Sequence, residues 1–364
     1  MTMQTLTGVN VPPAQTWNYL RINDITLTVP AANKSLDSAT FSSRDTSLSA
    51  LEMGAGTQAS AWIDQISNAH TTIVVPAGTT QDVSILVCDA SPYLTHDIVV
   101  EDKATVTITI VETRSAHSDV THTTTATSAD EPNAAAQGLR IVAHPHAHVI
   151  LNSFTCGNER TYLDNIGIEL QDSATLDAKQ FVLSGFTTAS GMAINLVGAN
   201  ARAELYVRYL VRNRQTLDMN YVARMRGRNT RCNIAISGVL EDGSSKTLRD
   251  TIDLIHGAKG AAGYENETVL LAGQNVVNKS LPVILCDEDD VAGDHGATIG
   301  TILPEQLEYL NARGLSEAEA IALISHAVCD DAYAHANTPE ARAAVLAATE
   351  RIYGSEDAQE LEQR

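Results

Sequence analysis

Residues 147–203 read AHVILNSFTCGNERTYLDNIGIELQDSATLDAKQFVLSGFTTASGMAINLVGANARA. Ala147, Ala174 and Ala201 stand 27 residues apart. Each opens the same pattern, a turn followed by Ala-x-apolar: Ala147-His148-Val149, Ala174-Thr175-Leu176 and Ala201-Arg202-Ala203. A constant period of this size, with two strand-like runs per unit, means that no unit buries its own apolar face, so neighbours must stack. The physical solution is a β-solenoid, with small alanines at tight corners and apolar side chains pointing inward from each coil. A β-sandwich would need no constant period. Ala104-Thr105-Val106 is an earlier relative outside the exact phase.

The texture extends on both sides. Short apolar runs alternate with turns at Ile73–Val75, Val83–Val87, Ile98–Val100, Val106–Val111, Leu139–Val142, Val149–Leu151, Ile166–Leu170, Leu176–Leu183 and Ala203–Leu210. Thr105 to Ile110 alternates strictly, the period-two pattern of a strand. The polar, Thr-rich segment from Glu112 to Asn133 reads as an excursion from the coils, with His117 and His122 in solvent. Before the coils, residues 31–70 form a linking region with one short helix around Ala59–Ile66. Residues 1–30 form an N-terminal cap, whose Trp17, Leu20, Ile22 and Ile25 are expected to dock on a core.

Composition narrows the function. The 364 residues carry a net charge of −20, 44% hydrophobic residues and 4% aromatics. Phosphate neutralisation needs clustered Lys and Arg, so the charge argues against nucleic acid and anionic membrane as partners. No apolar run reaches the length of a membrane span, and the N-terminus lacks the basic and apolar regions of a signal peptide. The five cysteines, Cys88, Cys156, Cys232, Cys286 and Cys329, have no C-x-x-C spacing and fit reduced thiols in a cytoplasmic protein. On residue type alone, Cys286 at the end of a strand reads as a small buried hydrophobe.

Leu281 to Gly314, LPVILCDEDDVAGDHGATIGTILPEQLEYLNARG, separates the β-rich part from a helical end. Leu281–Leu285 is expected to be a buried strand and Asp287–Asp290 a solvated turn. Gly293, Gly296 and Gly300 surround His295, which on these residues alone reads as a loop histidine beside the Asp294 carboxylate. A helix starts at Pro304, with Leu307 and Leu310 on one side. Ser316 and Glu319 form a capping box for a helix through Val328. Thr338-Pro339 opens the last helix, which ends before Gly354. The charged tail SEDAQELEQR is expected to fray.

Other candidate chemistry is thin. His144, His146 and His148 would share one face of a strand and present metal ligands, but Pro145 and the Ala147 corner place them at a surface turn. P-loop, G-x-S-x-G and H-E-x-x-H patterns are absent.

The 281–314 stretch resembles the signature of the SufB/SufD family of iron–sulfur cluster assembly proteins. In that family a P-x-L run, a D-D-V turn, an H-G-A-T-x-G segment and an R-G-[LI]-[DS]-E-x-E-A element follow in order. Here they are Pro282–Leu285, Asp289-Asp290-Val291, His295 to Gly300, and Arg313 to Ala320. Trp17-Asn18-Tyr19 is similar to a motif near the start of SufD-type members. The resemblance implies a right-handed parallel β-helix with a C-terminal α-helical domain, divided as 1–70 cap and linker, 71–302 β-helix core and 303–364 helical domain. It implies a non-catalytic, SufD-like subunit that pairs with a SufB-like protein through its last coils and docks the SufC ATPase through Leu307, Leu310, Arg313 and Leu315. In such complexes the histidine corresponding to His295 lies where two β-helix proteins meet and is linked to the nascent cluster, so His295 becomes an interface residue and iron ligand. Cys286 lies nearby in sequence as a substitute thiol.

Three departures bear on this. Val276 stands in the place of the SufB-type cysteine. Gly293-Asp294 stands where SufD types have Cys-Ser, and Gly296 where SufB types have Glu. With at most one thiol near His295, the chain holds no cluster stably alone; a transient cluster at the partner interface is the expectation. Two alternatives come from other classes. One is a structural β-helix homodimer. The other is a β-helix polysaccharide-active enzyme using Asp164, Glu169, Asp172 or Asp177, which form no defined pair.

Overall fold

The computed structural model describes residues 2–32, 46–67, 69–114, 134–157, 159–183 and 185–363. His117 and His122 lie outside the described residues.

Two eight-stranded parallel sheets form the body. One contains β3 (Ala69–Val75), β5 (Tyr93–Val100), β7 (Ala134–Ala143), β9 (Thr161–Leu170), β11 (Thr187–Leu196), β13 (Thr216–Met225), β15 (Ser245–Leu254) and β17 (Val277–Cys286). The other contains β4 (Thr80–Val87), β6 (Thr105–Glu112), β8 (His148–Thr155), β10 (Thr175–Val182), β12 (Arg202–Val211), β14 (Arg231–Leu240), β16 (Ala262–Leu271) and β18 (Ala292–Gly300). Successive strands alternate between the sheets, and each pairs with the strand two further along the chain. This is the β-solenoid expected from the repeat. The apolar runs named above fall in strands, while β11 and β13–β16 were not among them.

The corners explain the alanines. Ala104, Ala147, Ala174 and Ala201 are fully buried, and Thr230 and Ala261 continue the column. Spacing is not constant: Thr230 follows Ala201 by 29 residues and Ala261 follows Thr230 by 31. The residue before each corner has a left-handed backbone: Lys103, His146, Ser173, Asn200, Asn229 and Gly260. Its amide donates to a carbonyl of the next corner, as in His146 to Asp172, Ser173 to Ala199 and Asn200 to Arg228. This ladder offsets the cost of about 1–2 kcal/mol for each L-residue held there.

The interior between the sheets is a column of aliphatic side chains, with Leu139, Ile166, Ile194 and Val207 among them. Both outer faces are covered as well, so the central strands read as buried on both sides. On the odd-numbered sheet lie a hairpin, β1 (Met3–Val9) and β2 (Ile25–Pro30), and helix α1 (Thr57–Ile66), whose Trp62 and Ile63 are buried. The approach is close: a Cβ on Gly191 would sit 2.2 Å from the Ala55 nitrogen. The cap does not dock as expected throughout. Ile22 is buried, but Trp17 and Tyr19 are 71% and 73% exposed and stack on each other, with Leu20 exposed beside them. None of residues 18–20 in this turn is buried.

The helical end comprises α2 (Pro304–Asn311), α3 (Glu317–His335), α4 (Pro339–Tyr353) and α5 (Ser355–Glu362), of which α3 and α4 pack on the even-numbered sheet. Val328, Cys329, Ala332, Val345 and Ala348 pack on Phe154, Phe181, Leu210 and Val239. The capping box at Ser316 and the Thr338 cap are both present. Helix α3 runs on past Val328 to His335, because Ala332 is buried and Phe181 stacks on the His335 ring. The tail does not fray: α5 forms and buries Leu361 in the same cluster. Among the described residues no helix is long and apolar enough to cross a membrane.

Candidate functional site at the open end of the solenoid

The two sheets end differently from their centres. β17 and β18 are the terminal strands of their sheets. The expected buried strand around Leu281–Leu285 is a strand, but only half-buried along its length, and β18 is exposed from Ala292 to Ile299. The helical end runs along the side of the solenoid and leaves this mouth uncovered.

His295 is not in a loop. It is the fourth residue of β18 and pairs in register with Glu265 of β16. Its Nδ1 lies 3.6 Å from Glu265 Oε1, and its side chain is 48% exposed. Glycine fits the neighbouring positions because space is short: a Cβ at Gly293 would touch Ile284 and Leu254 at 3.2 Å. Strand alternation therefore turns Gly293 and His295 toward the interior.

Beneath His295 the interior changes character. The column that holds Leu205 and Ile234 continues to Glu265, and the one that holds Val207 and Ile236 continues to Glu267. On the facing sheet, β15 contributes Lys246 and Asp250. All four side chains are almost fully buried. The Lys246 ammonium is committed: it donates to Glu267 Oε1 and, at 3.0 Å, to Ser280 Oγ. Glu265 and Asp250 have no such partner. Burial pushes both carboxyls well above the usual carboxylate range. For Glu265 the nearby Asp250 charge adds to the rise. The Val283 amide opposes it without reaching hydrogen-bond geometry with either oxygen. Arg249, next to Asp250 in sequence, points to the other face of β15 and is held by Asp218.

Cys286 ends β17 exposed, with its Sγ 3.3 Å from the Glu288 carbonyl. It is thus not the buried hydrophobe expected of a strand-end cysteine, because no coil packs beyond it. Among the described residues no hydrogen bond links it to His295. Val276 is half-buried and packs against the solenoid core. The acidic turn is only partly solvated as expected: Asp287, Asp289 and Asp290 are exposed, whereas the Glu288 side chain is folded in and accepts from the Gly257 amide at 2.9 Å.

On the helical side, Leu307, Leu310 and Leu315 are half-buried, and Arg313 lies over the Tyr309 ring, 3.5 Å from its centroid. Leu310 shares a groove of about 470 Å³ with Ile302, Glu305, Gln306, Tyr309 and Ile324. Tyr309, Leu323 and Ile324 are exposed hydrophobics that the leucine pattern did not single out.

The remaining candidates are dispersed. His146 sits in the corner and His148 pairs with Asp177 at 2.8 Å. His144 groups with Glu101 and Asp102 at a partly exposed corner. Asp164 is buried in the interior and Asp172 caps the Ala199 amide, so the acidic residues considered for glycoside chemistry line no common groove.

Residues 93–328 match the family described as SUF system FeS cluster assembly, SufBD core domain. The chain belongs to the SufBD family. Among curated relatives, it is 29% identical over 136 residues to an iron–sulfur cluster assembly SufBD family protein of Synechocystis, covering 37% of this chain and 28% of the relative. It is 26% identical over 164 residues to the iron–sulfur cluster assembly protein SufD of Bacillus subtilis, covering 45% of this chain and 38% of that protein. A SufBD family protein of Mycobacterium leprae is 25% identical over 187 residues, 51% of this chain and 22% of the relative. The matched stretch is therefore well under half of each relative's length. These relatives are named as assembly proteins. The SufBD match spans the coils from β5 onward and ends within α3, so it includes the whole open end.

Proposed function

We propose that the chain is a SufD-like, non-catalytic subunit of a SUF cluster-assembly scaffold, located in the cytoplasm. In this reading it pairs with a SufB-like β-helix protein at β17 and β18 and docks a SufC-like ATPase on α2 and the start of α3. The observation that carries the reading is the uncovered last coil. Two parallel strands present unpaired edges side by side, and free edges of that kind are ordinarily capped or paired. A partner that satisfies both edges must itself carry two sheet edges at solenoid spacing. The exposed apolar groove around Tyr309 and Leu310 supports a second, separate contact. An iron–sulfur cluster is cargo in this reading, handled transiently at the mouth near His295 and, with less support, Cys286.

Anaerobic co-expression with SufB-like and SufC-like proteins, followed by pull-down and iron and sulfide analysis, tests this. Replacing Leu307 and Leu310 by Asp is expected to abolish retention of the ATPase; retention at wild-type strength sinks the docking claim. The two open edges also suit a second copy of the chain. A homodimer without any heteromeric complex would favour that structural role instead.

A further inference from the structure

Positive charge is concentrated in one part of the chain. Eight of the 24 lysines and arginines are arginines between Arg202 and Arg231, in a chain of net charge −20. Three of them are neutralised: Arg208 by Asp331, Arg212 by Glu241, and Arg224 by Glu52 and Asp253. Arg214 stands exposed at the turn between β12 and β13. The other four gather at the opposite corner. Arg202 opens β12 and pairs in register with Arg231, which opens β14. Arg226 and Arg228 lie in the corner between β13 and β14. The corner amides of Asn200 and Asn229 donate to the Arg228 and Lys259 carbonyls, which sets Lys259 one coil beyond Arg228. All five side chains are exposed. Neutral groups hold two of them: Arg231 donates to the Thr230 and Gly260 carbonyls, and Arg226 donates to Asn195 Oδ1 at 3.0 Å. Arg202 and Arg228 make no hydrogen bond or ion pair among the described residues. Lys259 has Glu288 in its surroundings. Glu204, the acid on the same face of β12, accepts from Asn233 at 2.9 Å and forms no ion pair with Arg202. Like charges directly opposite each other in neighbouring strands are destabilising, so solubility gives no reason for this cluster in an acidic chain.

We propose that Arg202, Arg226, Arg228 and Arg231, with Lys259, form a docking surface for an acidic, extended polypeptide segment of a partner protein. Charge complementarity selects the partner's chemistry, and guanidinium forks take carboxylates two oxygens at a time. Stacked coils bring neighbouring positions within about 5 Å of each other, so one short segment can reach several of these charges. The surface is a convex corner. Small-molecule sites are concave, so a free small anion would be held from one side, whereas a flexible segment can bend over the ridge. The adjoining margin of the even-numbered sheet is bare. Helix α3 engages β12 further along, where Asp331 accepts from Tyr206 and Arg208. On the bare margin Tyr264 is 46% exposed and in register with Asn233, two residues past Arg231, which gives the segment an apolar contact beside the charges. A nucleic acid needs a longer basic footprint than two corners supply, on a chain whose remaining charge repels it. The inference stands apart from the assembly reading, because it uses none of the residues assigned to the mouth or to the Tyr309 groove.

Fluorescence anisotropy of a labelled oligoglutamate peptide, titrated with the purified chain at low salt, tests it. The net charge of −20 repels this probe from the rest of the surface, so binding reports on the basic corner. Wild type is expected to bind, and to lose affinity as salt screens the exposed charges. An oligoglutamine peptide of the same length is expected not to bind. Arg202→Gln/Arg228→Gln changes two exposed side chains without partners, so the variant should melt like wild type and bind about tenfold more weakly. Arg214→Gln, at the opposite turn, leaves binding unchanged. Failure of wild type to bind, or equal binding by the double variant, overturns the surface. Tighter binding of a single-stranded DNA of matched charge than of the peptide overturns the polypeptide assignment in favour of a phosphate-bearing ligand.

Discussion

Arg249 grips Asp218 with two nitrogens, Nη1 to Oδ1 at 2.7 Å and Nη2 to Oδ2 at 3.1 Å, on the covered outer face of the odd-numbered sheet. The same guanidinium donates through Nε to the Ile22 carbonyl, and Asn10 donates to Asp218 Oδ1 at 2.8 Å. The pair therefore clamps the N-terminal cap to β13 and β15. Even so, burial holds the Asp218 carboxyl above its ordinary value, because desolvation outweighs the Arg249 charge.

From this clamp we expect Arg249→Met to destabilise the chain by about 3–5 kcal/mol, since it strands a buried carboxylate. The double variant Arg249→Met/Asp218→Asn should cost markedly less than the two single changes added together. Urea unfolding of the three variants measures the coupling, and simple additivity would contradict the clamp.

Asp164 gives a pH dependence. It sits inside the solenoid, accepting from Gln137, from Gln180 at 3.2 Å and from Ser190 at 3.4 Å. Burial nevertheless pushes its carboxyl up to about 6, against these hydrogen bonds. An unfolded aspartate titrates near 3.9, so folding favours the protonated form. The group's stabilising contribution is fully present below about pH 4 and is lost as pH rises through 6. Across that window wild type should lose about 3 kcal/mol relative to Asp164→Asn. Unfolding free energies of both proteins at about pH 4 and pH 8 measure this, and a constant difference would refute it.

Corner packing gives a third expectation. Ala174 is fully buried between Ala147 and Ala201 in adjacent coils. Ala174→Val adds volume to a column with none to spare and should destabilise by about 1–3 kcal/mol. The same change at the surface of α4, Ala343→Val, should cost within about 0.7 kcal/mol. Thermal melts of the two side by side make the comparison.

These corners also show why the fold was legible and the site was not. Ala147, Ala174 and Ala201 recur because only a small side chain fits where the chain turns between sheets, and a steric rule of that kind leaves a periodic mark. The left-handed residue before each corner left a weaker mark, since His146, Ser173 and Asn200 share a backbone angle and no side-chain chemistry. The coils from β13 to β16 escaped notice because their corner spacing lengthens and Thr230 replaces alanine. His295 was picked out only through family resemblance. Its glycine neighbours suggested a loop, whereas the pairing of β18 on β16 makes them a strand. Glu265 was missed entirely. It lies 30 residues before His295, and only register across coils brings the two together. Trp17 and Leu20 run in the opposite direction: apolar residues near a terminus suggest docking, yet both side chains are exposed.

The joint between solenoid and helices supplies a last prediction. Phe181 stacks on Phe154 with ring centroids 5.3 Å apart and on His335 at 5.4 Å, so one ring bridges β8, β10 and α3. Cys156 and Cys329 lie in this joint, while Cys232 lies inside the solenoid. All three thiols are buried, and burial pushes Cys329 up to about 11, so none reacts until its surroundings open. Among the described residues the helices pack on the even-numbered sheet, so we expect this layer to open without unstacking the coils, as a unit of lower local stability. Phe181→Ala should cost about 3–5 kcal/mol and act first at this joint. Labelling with a thiol reagent under native conditions should then speed up at Cys329 and Cys156, with Cys232 unchanged. Equal acceleration at all three would mean that the helices and the solenoid open together as one cooperative body.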